Sequence, residues 1–124
     1  MAVFSATRRP SVGILGPPVL WSVHFLFVYV FVSLACLWSW GDDGAAWLGV
    51  GVIEWVVALA TVLFGAAIAT LGVRAWRERA AAPRDDVPPS RQRFVARVGA
   101  LQAALFLAAT VSVGLLTLPR PSCY

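Results

Sequence analysis

Three long apolar segments divide the chain, and its charged residues gather mainly between and beside them. The first runs from about 18 to 40 without a formal charge. The second, about 45 to 73, contains a single charged residue, Glu54. The third, about 94 to 118, carries Arg97 near its start. A hydrocarbon core about 30 Å thick needs about 20 helical residues to cross it. The sequence therefore predicts an all-α integral membrane protein with three transmembrane helices.

Composition supports this interpretation. The chain is 60% hydrophobic and 13% charged, whereas soluble domains carry about 25% charged residues. The apolar segments are too long, and alternate too little, for strands of a β-barrel. The first exceeds the usual core of a signal peptide and ends in the bulky "CLWSW", so we expect a retained helix. We predict a single multi-pass domain, residues 1–124, in the bacterial inner membrane.

The arginines predict how the helices are oriented. Cytoplasmic loops of membrane proteins carry an excess of arginine and lysine. With the N-terminus in the cytoplasm, nine of the ten arginines lie on that side. Only Arg120 falls on the other side. The N-terminus and the loop of about 74–93 are therefore expected in the cytoplasm, with the "GDDG" turn and the C-terminus in the periplasm. The same distribution accounts for the basic pI without nucleic acid as a partner. The cytoplasmic arginines are Arg8, Arg9, Arg74, Arg77, Arg79, Arg84, Arg91, Arg93 and Arg97.

One face of the first helix gathers most of its distinctive side chains. At 100° per residue, Trp21, His24, Phe25, Tyr29 and Cys36 fall within an arc of about 140°. An ionisable group inside a membrane is a functional hypothesis by default. We expect this face to meet another protein, or a cofactor that such a protein holds.

The only histidine of the chain, His24, allows three interpretations. It could ligate a haem, although one histidine cannot supply both axial ligands of a bis-histidine site. It could relay protons, although no acid lies near it in the sequence. We favour a neutral imidazole that hydrogen-bonds across a helix interface or to a partner subunit.

Glu54 and the two cysteines lie towards the outer side. The Glu54 carboxylate could reach the membrane interface, or it could be buried against an arginine or a partner protein. Cys36 and Cys123 end on the same side, where an oxidising periplasm would allow a disulfide. Copper binding by the two thiolates is the alternative, and it is weaker because no CxxC or CxxxC spacing is present.

Small residues recur along the second and third helices, where they let helix backbones approach closely. In the third helix, alanines repeat every four residues, and we expect Ala100 and Ala104 to contribute to a partner interface. Gln102, Thr110 and Ser112 could add hydrogen bonds between helices. The small residues are Gly65, Ala69 and Gly72 in the second helix, and Ala96, Ala100, Ala104 and Ala108 in the third.

No catalytic motif is present in the sequence. A nucleotide-binding loop, a Gly-x-Ser-x-Gly elbow and a His-Glu-x-x-His zinc motif are all missing. With one histidine and one acid inside the membrane, the sequence predicts no self-contained active site, no metal site and no resident cofactor.

The opening "GPPVLWSVHF", the arginine-rich central loop and the "LPRPSCY" tail form a recognisable layout. It resembles small three-helix membrane proteins of proteobacteria that are encoded beside cytochrome c oxidase and its assembly factors. Those proteins open with a similar "GPLAW-x-x-HF" and end in a proline-plus-cysteine tail, which here continues to Tyr124. The resemblance implies association with a haem–copper oxidase or its biogenesis, and no reaction.

Together these features predict a non-catalytic accessory subunit, or assembly partner, of an inner-membrane respiratory complex. Its partners would be the bilayer and larger membrane subunits of a terminal oxidase. One alternative is an assembly factor that handles copper or redox equivalents through Cys36 and Cys123. Another is a small structural subunit of a different complex, such as a photosynthetic assembly.

The orientation can be tested with a reporter that is active only in the periplasm. We expect activity when it is fused after Tyr124 and none when it is inserted beside Pro88, because the positive-inside rule keeps the arginine-rich loop in the cytoplasm. The opposite pattern would reverse the predicted orientation.

Overall fold

Three long helices form nearly all of the structure, a computed structural model that describes residues 10–38, 46–47, 50–78, 80 and 88–117. They are α1 (Pro10–Leu37), α2 (Val52–Glu78) and α3 (Pro89–Thr117). Each contains a span long and apolar enough to cross a membrane, with mean hydropathy of 2.1, 2.3 and 1.9. The predicted three-helix architecture, typical of a multi-pass membrane protein, is confirmed at this level.

The helix boundaries differ from those predicted. α1 begins at Pro10 instead of about 18, and α3 begins at Pro89 instead of about 94. Proline suits the first turn of a helix because its missing N–H has no partner there anyway. α2 continues to Glu78 through Arg74 and Arg77, since arginine is a good helix former and helical hydrogen bonding does not stop where apolar residues do. Much of the predicted loop 74–93 is therefore helical.

A short antiparallel pair of strands precedes α2. β1 (Ala46–Trp47) pairs with β2 (Val50–Gly51), with Ala46 opposite Gly51 and Trp47 opposite Val50. The apolar pattern predicts a helix here, from about residue 45, and that prediction is wrong. Two-residue strands carry no alternation that a sequence pattern could reveal. As a result, α2 begins at Val52.

The helices run up, down and up, so α1 and α3 are parallel and α2 is antiparallel to both. At one level Gly99 lies near Gly13 of α1 and Ala75 of α2. Further along, His24 of α1 bonds Thr61 of α2, and Thr61 packs against Gly114 of α3. The arginines that the structure describes are exposed near the Gly13 level, at one end of the bundle: Arg74, Arg77, Arg91, Arg93 and Arg97.

Small residues let α2 and α3 form the largest interface of the bundle. A Cβ built on Gly72 would lie 2.9 Å from Ala103 Cβ, and one on Gly114 would lie 2.6 Å from Thr61 Oγ1 and Cγ2. Such distances leave no room for a methyl group. We call the packed small residues the seam: Gly65, Gly72 and Ala75 of α2, with Gly99, Ala103 and Gly114 of α3.

The predicted alanine ridge is only partly inside the bundle. Ala96 is buried and Ala100 is half-buried, whereas Ala104 and Ala108 are exposed. A strict spacing of four advances about 40° per step and drifts off one face of a helix. The buried positions of α3 instead include Gly99, Ala103, Thr110 and Gly114, whose spacings of four, seven and four stay within about 60°.

Two prolines interrupt the hydrogen bonding of α1. Pro17 and Pro18 lie inside the helix, so the carbonyls of Gly13 and Ile14 receive no helical N–H. Membrane helices tolerate such prolines where a neighbouring helix covers the freed groups. Here Gly99 of α3 covers the carbonyl of Gly13, since a Cβ built on Gly99 would lie 3.4 Å from Gly13 O.

The packing of the seam predicts that adding one methyl group, by substituting alanine for glycine, has different effects at Gly114 and Gly13. We expect Gly114→Ala to destabilise the protein by about 1 to 3 kcal/mol, because overpacking forces Thr61 to move. Gly13→Ala is the matched control, since nothing lies within 4 Å of its Cβ position and alanine favours a helix. Thermal unfolding followed by circular dichroism in detergent should show a lower Tm for Gly114→Ala alone. Equal losses in both variants would contradict the register of the seam.

Candidate functional site

His24 lies at the centre of the bundle and is fully buried. Its Nε2 is 3.1 Å from Thr61 Oγ1 of α2, and its ring packs against Phe64 with centroids 5.5 Å apart. The hydrogen bond that we favoured for His24 therefore exists, and it crosses a helix interface within the chain.

The partner of His24 determines which ring nitrogen carries the proton. Thr61 Oγ1 donates its only hydroxyl proton to Val57 O, at 2.8 Å. Its interaction with His24 must then be as an acceptor from Nε2–H. In this assignment Nδ1 carries a lone pair, and it is buried without a hydrogen-bond partner in the described part of the chain.

Trp21 lies one turn before His24 and is half-buried between aromatic rings. It stacks on Phe25 at 5.8 Å and contacts Phe106 of α3 at 5.7 Å. Its indole Nε1 is also buried, and no described residue accepts its hydrogen bond. Because an indole nitrogen can only donate, Trp21 and His24 present one unpaired donor and one unpaired acceptor.

The predicted partner face of α1 is divided by the fold. His24 is fully buried within the chain, so in this arrangement it offers no surface to a second protein. Phe25 and Tyr29 are 44% and 66% exposed, and Cys36 is half-buried. An arc of 140° is wider than one packing stripe, and only its His24 edge points inward.

The sequence does contain the signal that this prediction missed. The fully enclosed stripe of α1 consists of Pro17, His24, Val28 and Ala35, spaced by seven, four and seven residues. These positions fall within about 40° of one another on a helix. The spacing typical of helix packing therefore separates His24 from Tyr29, whereas grouping residues by chemical character does not.

Tyr29 differs from most other hydroxyl residues in the described spans. Six Ser and Thr hydroxyls donate to carbonyls of the preceding turn, which satisfies them without a neighbour. The Tyr29 hydroxyl forms no hydrogen bond to any described residue, and the side chain is largely exposed. The self-satisfied hydroxyls are Ser22, Ser33, Thr61, Thr70, Thr110 and Ser112. Thr110 and Ser112 thus donate within α3, not between helices, the possibility that the sequence offered.

Glu54 occupies a structural position at the start of α2. It is the third residue of the helix, and its Oε2 would lie 2.5 Å from a Cβ built on Gly51. The side chain therefore folds back over the helix N-terminus, where the helix dipole favours a carboxylate. It is half-buried.

Cys36 lies in the last turn of α1 and is disulfide-bonded. The partner that we predicted, Cys123, lies outside the described residues, as does the "GDDG" turn, so the pairing with Cys123 stays a prediction. A sulfur atom in a disulfide is not a thiolate and cannot ligate Cu(I) until it is reduced.

A shallow groove of about 420 Å³ lies on the surface of the bundle between α2 and α3. Its walls are apolar and mostly small, including Ala58, Gly65 and Ala69 of α2 and Val111 of α3. The predicted interface residues Ala100 and Ala104 do not line it. Within the described ranges, no group of three His, Cys, Asp or Glu residues is placed to hold a metal.

Comparisons with known proteins add no relative. Neither a family model, nor a curated protein, nor a solved structure matches this chain. The interactions described above are therefore the basis for any functional proposal.

The His24–Thr61 bond predicts a non-additive pair of substitutions. Thr61→Val keeps the shape of the side chain but leaves the His24 Nε2–H buried and unpaired, which costs about 1 to 3 kcal/mol. In a His24→Leu background no such donor remains, so the same substitution should lower the Tm much less. Equal effects in the two backgrounds would show that the two side chains are not coupled.

Proposed function

We propose that the protein is a non-catalytic accessory subunit, or assembly partner, of an inner-membrane respiratory complex. A haem–copper terminal oxidase is the specific candidate. In this proposal the N-terminus is cytoplasmic, the C-terminus is periplasmic, and the exposed side of α1 docks against a larger membrane subunit.

The exposed hydroxyl of Tyr29 is the observation that carries the docking proposal. The span of α1 runs from Gly13 to Leu37, so Tyr29 lies four residues from its middle. At 1.5 Å per residue this is about 6 Å from the centre of a core whose half-thickness is about 15 Å. An unpaired hydroxyl at that depth would face hydrocarbon, which is unfavourable.

Helix geometry prevents the Tyr29 hydroxyl from reaching water at the membrane surface. Side chains on a helix tilt towards its N-terminus, so the Tyr29 hydroxyl is directed back towards the bilayer centre and away from the nearer surface at Leu37. A helix of another subunit with an acceptor at this depth would satisfy it. The neighbouring Phe25 would add aromatic contact area to the same interface.

The bundle-end arginines support the proposed orientation. Arg74, Arg77, Arg91, Arg93 and Arg97 are exposed near one end, as expected for the cytoplasmic side. The choice of an oxidase as the partner complex has a different basis. It comes from the resemblance of "GPPVLWSVHF" and "LPRPSCY" to segments of proteins encoded beside oxidase genes. The copper-handling alternative requires reduction of the Cys36 disulfide before any metal can bind.

Co-purification tests the proposal. The tagged full-length protein, extracted in mild detergent, should capture larger membrane subunits stoichiometrically, with the spectrum of a haem-containing oxidase. Tyr29→Phe should weaken this capture about three- to fivefold, which corresponds to about 0.6 to 1 kcal/mol for one hydrogen bond in a membrane.

Ser33→Ala is the matched control, because Ser33 is also exposed on α1 but already donates to Tyr29 O. It should leave capture unchanged. A partner without haem would contradict the oxidase assignment, and capture that depends on added copper would favour the copper-handling alternative. Equal losses in both variants would contradict the role of the Tyr29 hydroxyl.

A further inference from the structure

Trp21, His24 and Thr110 are placed at a similar depth in the bundle by the Trp21–Phe106 contact, and we propose that they bind one internal water molecule. This proposal concerns the interior of the bundle, so it does not depend on the docking of α1 or on the identity of a partner.

The first two groups have complementary hydrogen-bonding needs. Trp21 Nε1–H is a buried donor without a described partner, and His24 Nδ1 is a buried acceptor in the tautomer that Thr61 selects. The two residues are three positions apart, so their side chains are neighbours on α1. Water both accepts and donates, and can join them: Trp21 Nε1–H donates to the water, which donates to His24 Nδ1.

Thr110 supplies a third interaction at the same depth. α1 and α3 are parallel, and Trp21 contacts Phe106. Thr110 lies one turn beyond Phe106, as His24 lies one turn beyond Trp21. Thr110 is fully buried and donates its proton to Phe106 O, so its oxygen retains lone pairs for the second water proton. Three partners are the usual number for a buried water.

The assignment gives every polar atom of the site a role. The water accepts from Trp21 and donates to His24 and Thr110, while His24 donates to Thr61, which donates to Val57 O. In the apolar interior of a bundle, an unpaired donor or acceptor costs about 1 to 3 kcal/mol. A single water removes two such costs, and the rings of Phe25, Phe64 and Phe106 pack against Trp21 and His24.

The single histidine makes the proposal directly testable. The full-length chain, labelled with ¹⁵N only in its histidine ring and reconstituted in lipid bilayers, should give two nitrogen signals by solid-state NMR. We expect Nε2 to be protonated and Nδ1 unprotonated, with magnetisation transferred from water protons to the ring. Trp21→Phe and Thr110→Val should each remove at least half of this transfer by deleting one partner of the water.

Two further variants control for altered folding. Ser112→Ala, which changes an exposed and self-satisfied hydroxyl of α3, should leave the transfer intact. Thr110→Ser, which restores the hydroxyl, should recover the transfer that Thr110→Val loses. A protonated Nδ1, no water transfer in the unaltered protein, or unchanged transfer in both Trp21→Phe and Thr110→Val would overturn the proposal.

Discussion

The close approach of α2 and α3 is the constraint on which the rest of the structure depends. In a bilayer the helices gain nothing from hiding apolar surface from lipid, so packing and hydrogen bonds must hold them together. Gly72 against Ala103 and Gly114 against Thr61 allow backbone contact that a single methyl group would prevent. That approach also positions Thr61 between α3 and His24. A wider spacing of α2 and α3 would therefore disturb the central hydrogen bond as well as the packing.

Polar groups inside the bundle follow one rule with few exceptions. Hydroxyls bond carbonyls of their own helix, and the Gly13 carbonyl freed by Pro17 is covered by Gly99 of α3. Because lipid offers no hydrogen bonds, the exceptions indicate where something outside the protein chain contributes. Trp21 and His24 are exceptions on the inside, and Tyr29 is one on the outside. We have proposed a water molecule for the first two residues and a neighbouring protein for the third.

Hydropathy alone predicted the number and type of the helices, because crossing a bilayer requires about 20 apolar residues and little else. It could not predict their ends, since Arg74 and Arg77 continue α2 beyond the apolar segment. The candidate site was harder to predict. His24 and Tyr29 share an arc of α1, yet one is enclosed and the other exposed. Grouping by chemical character hid this difference, which the spacing of the enclosed stripe of α1 contains, whereas the partners of that stripe, such as Thr61, lie on other helices.

The abundance of exposed apolar side chains has a consequence for the evolution of such a protein. Positions such as Leu101, Leu105 and Val62 are about two-thirds exposed or more, and in lipid any apolar residue of similar size would serve there. Selection for the fold would act mainly on seam positions such as Gly72 and Gly114, where only small residues fit. Homologues can then diverge at most sites while retaining the same bundle. Their kinship would be visible in the spacing of a few small residues long after overall identity has been lost.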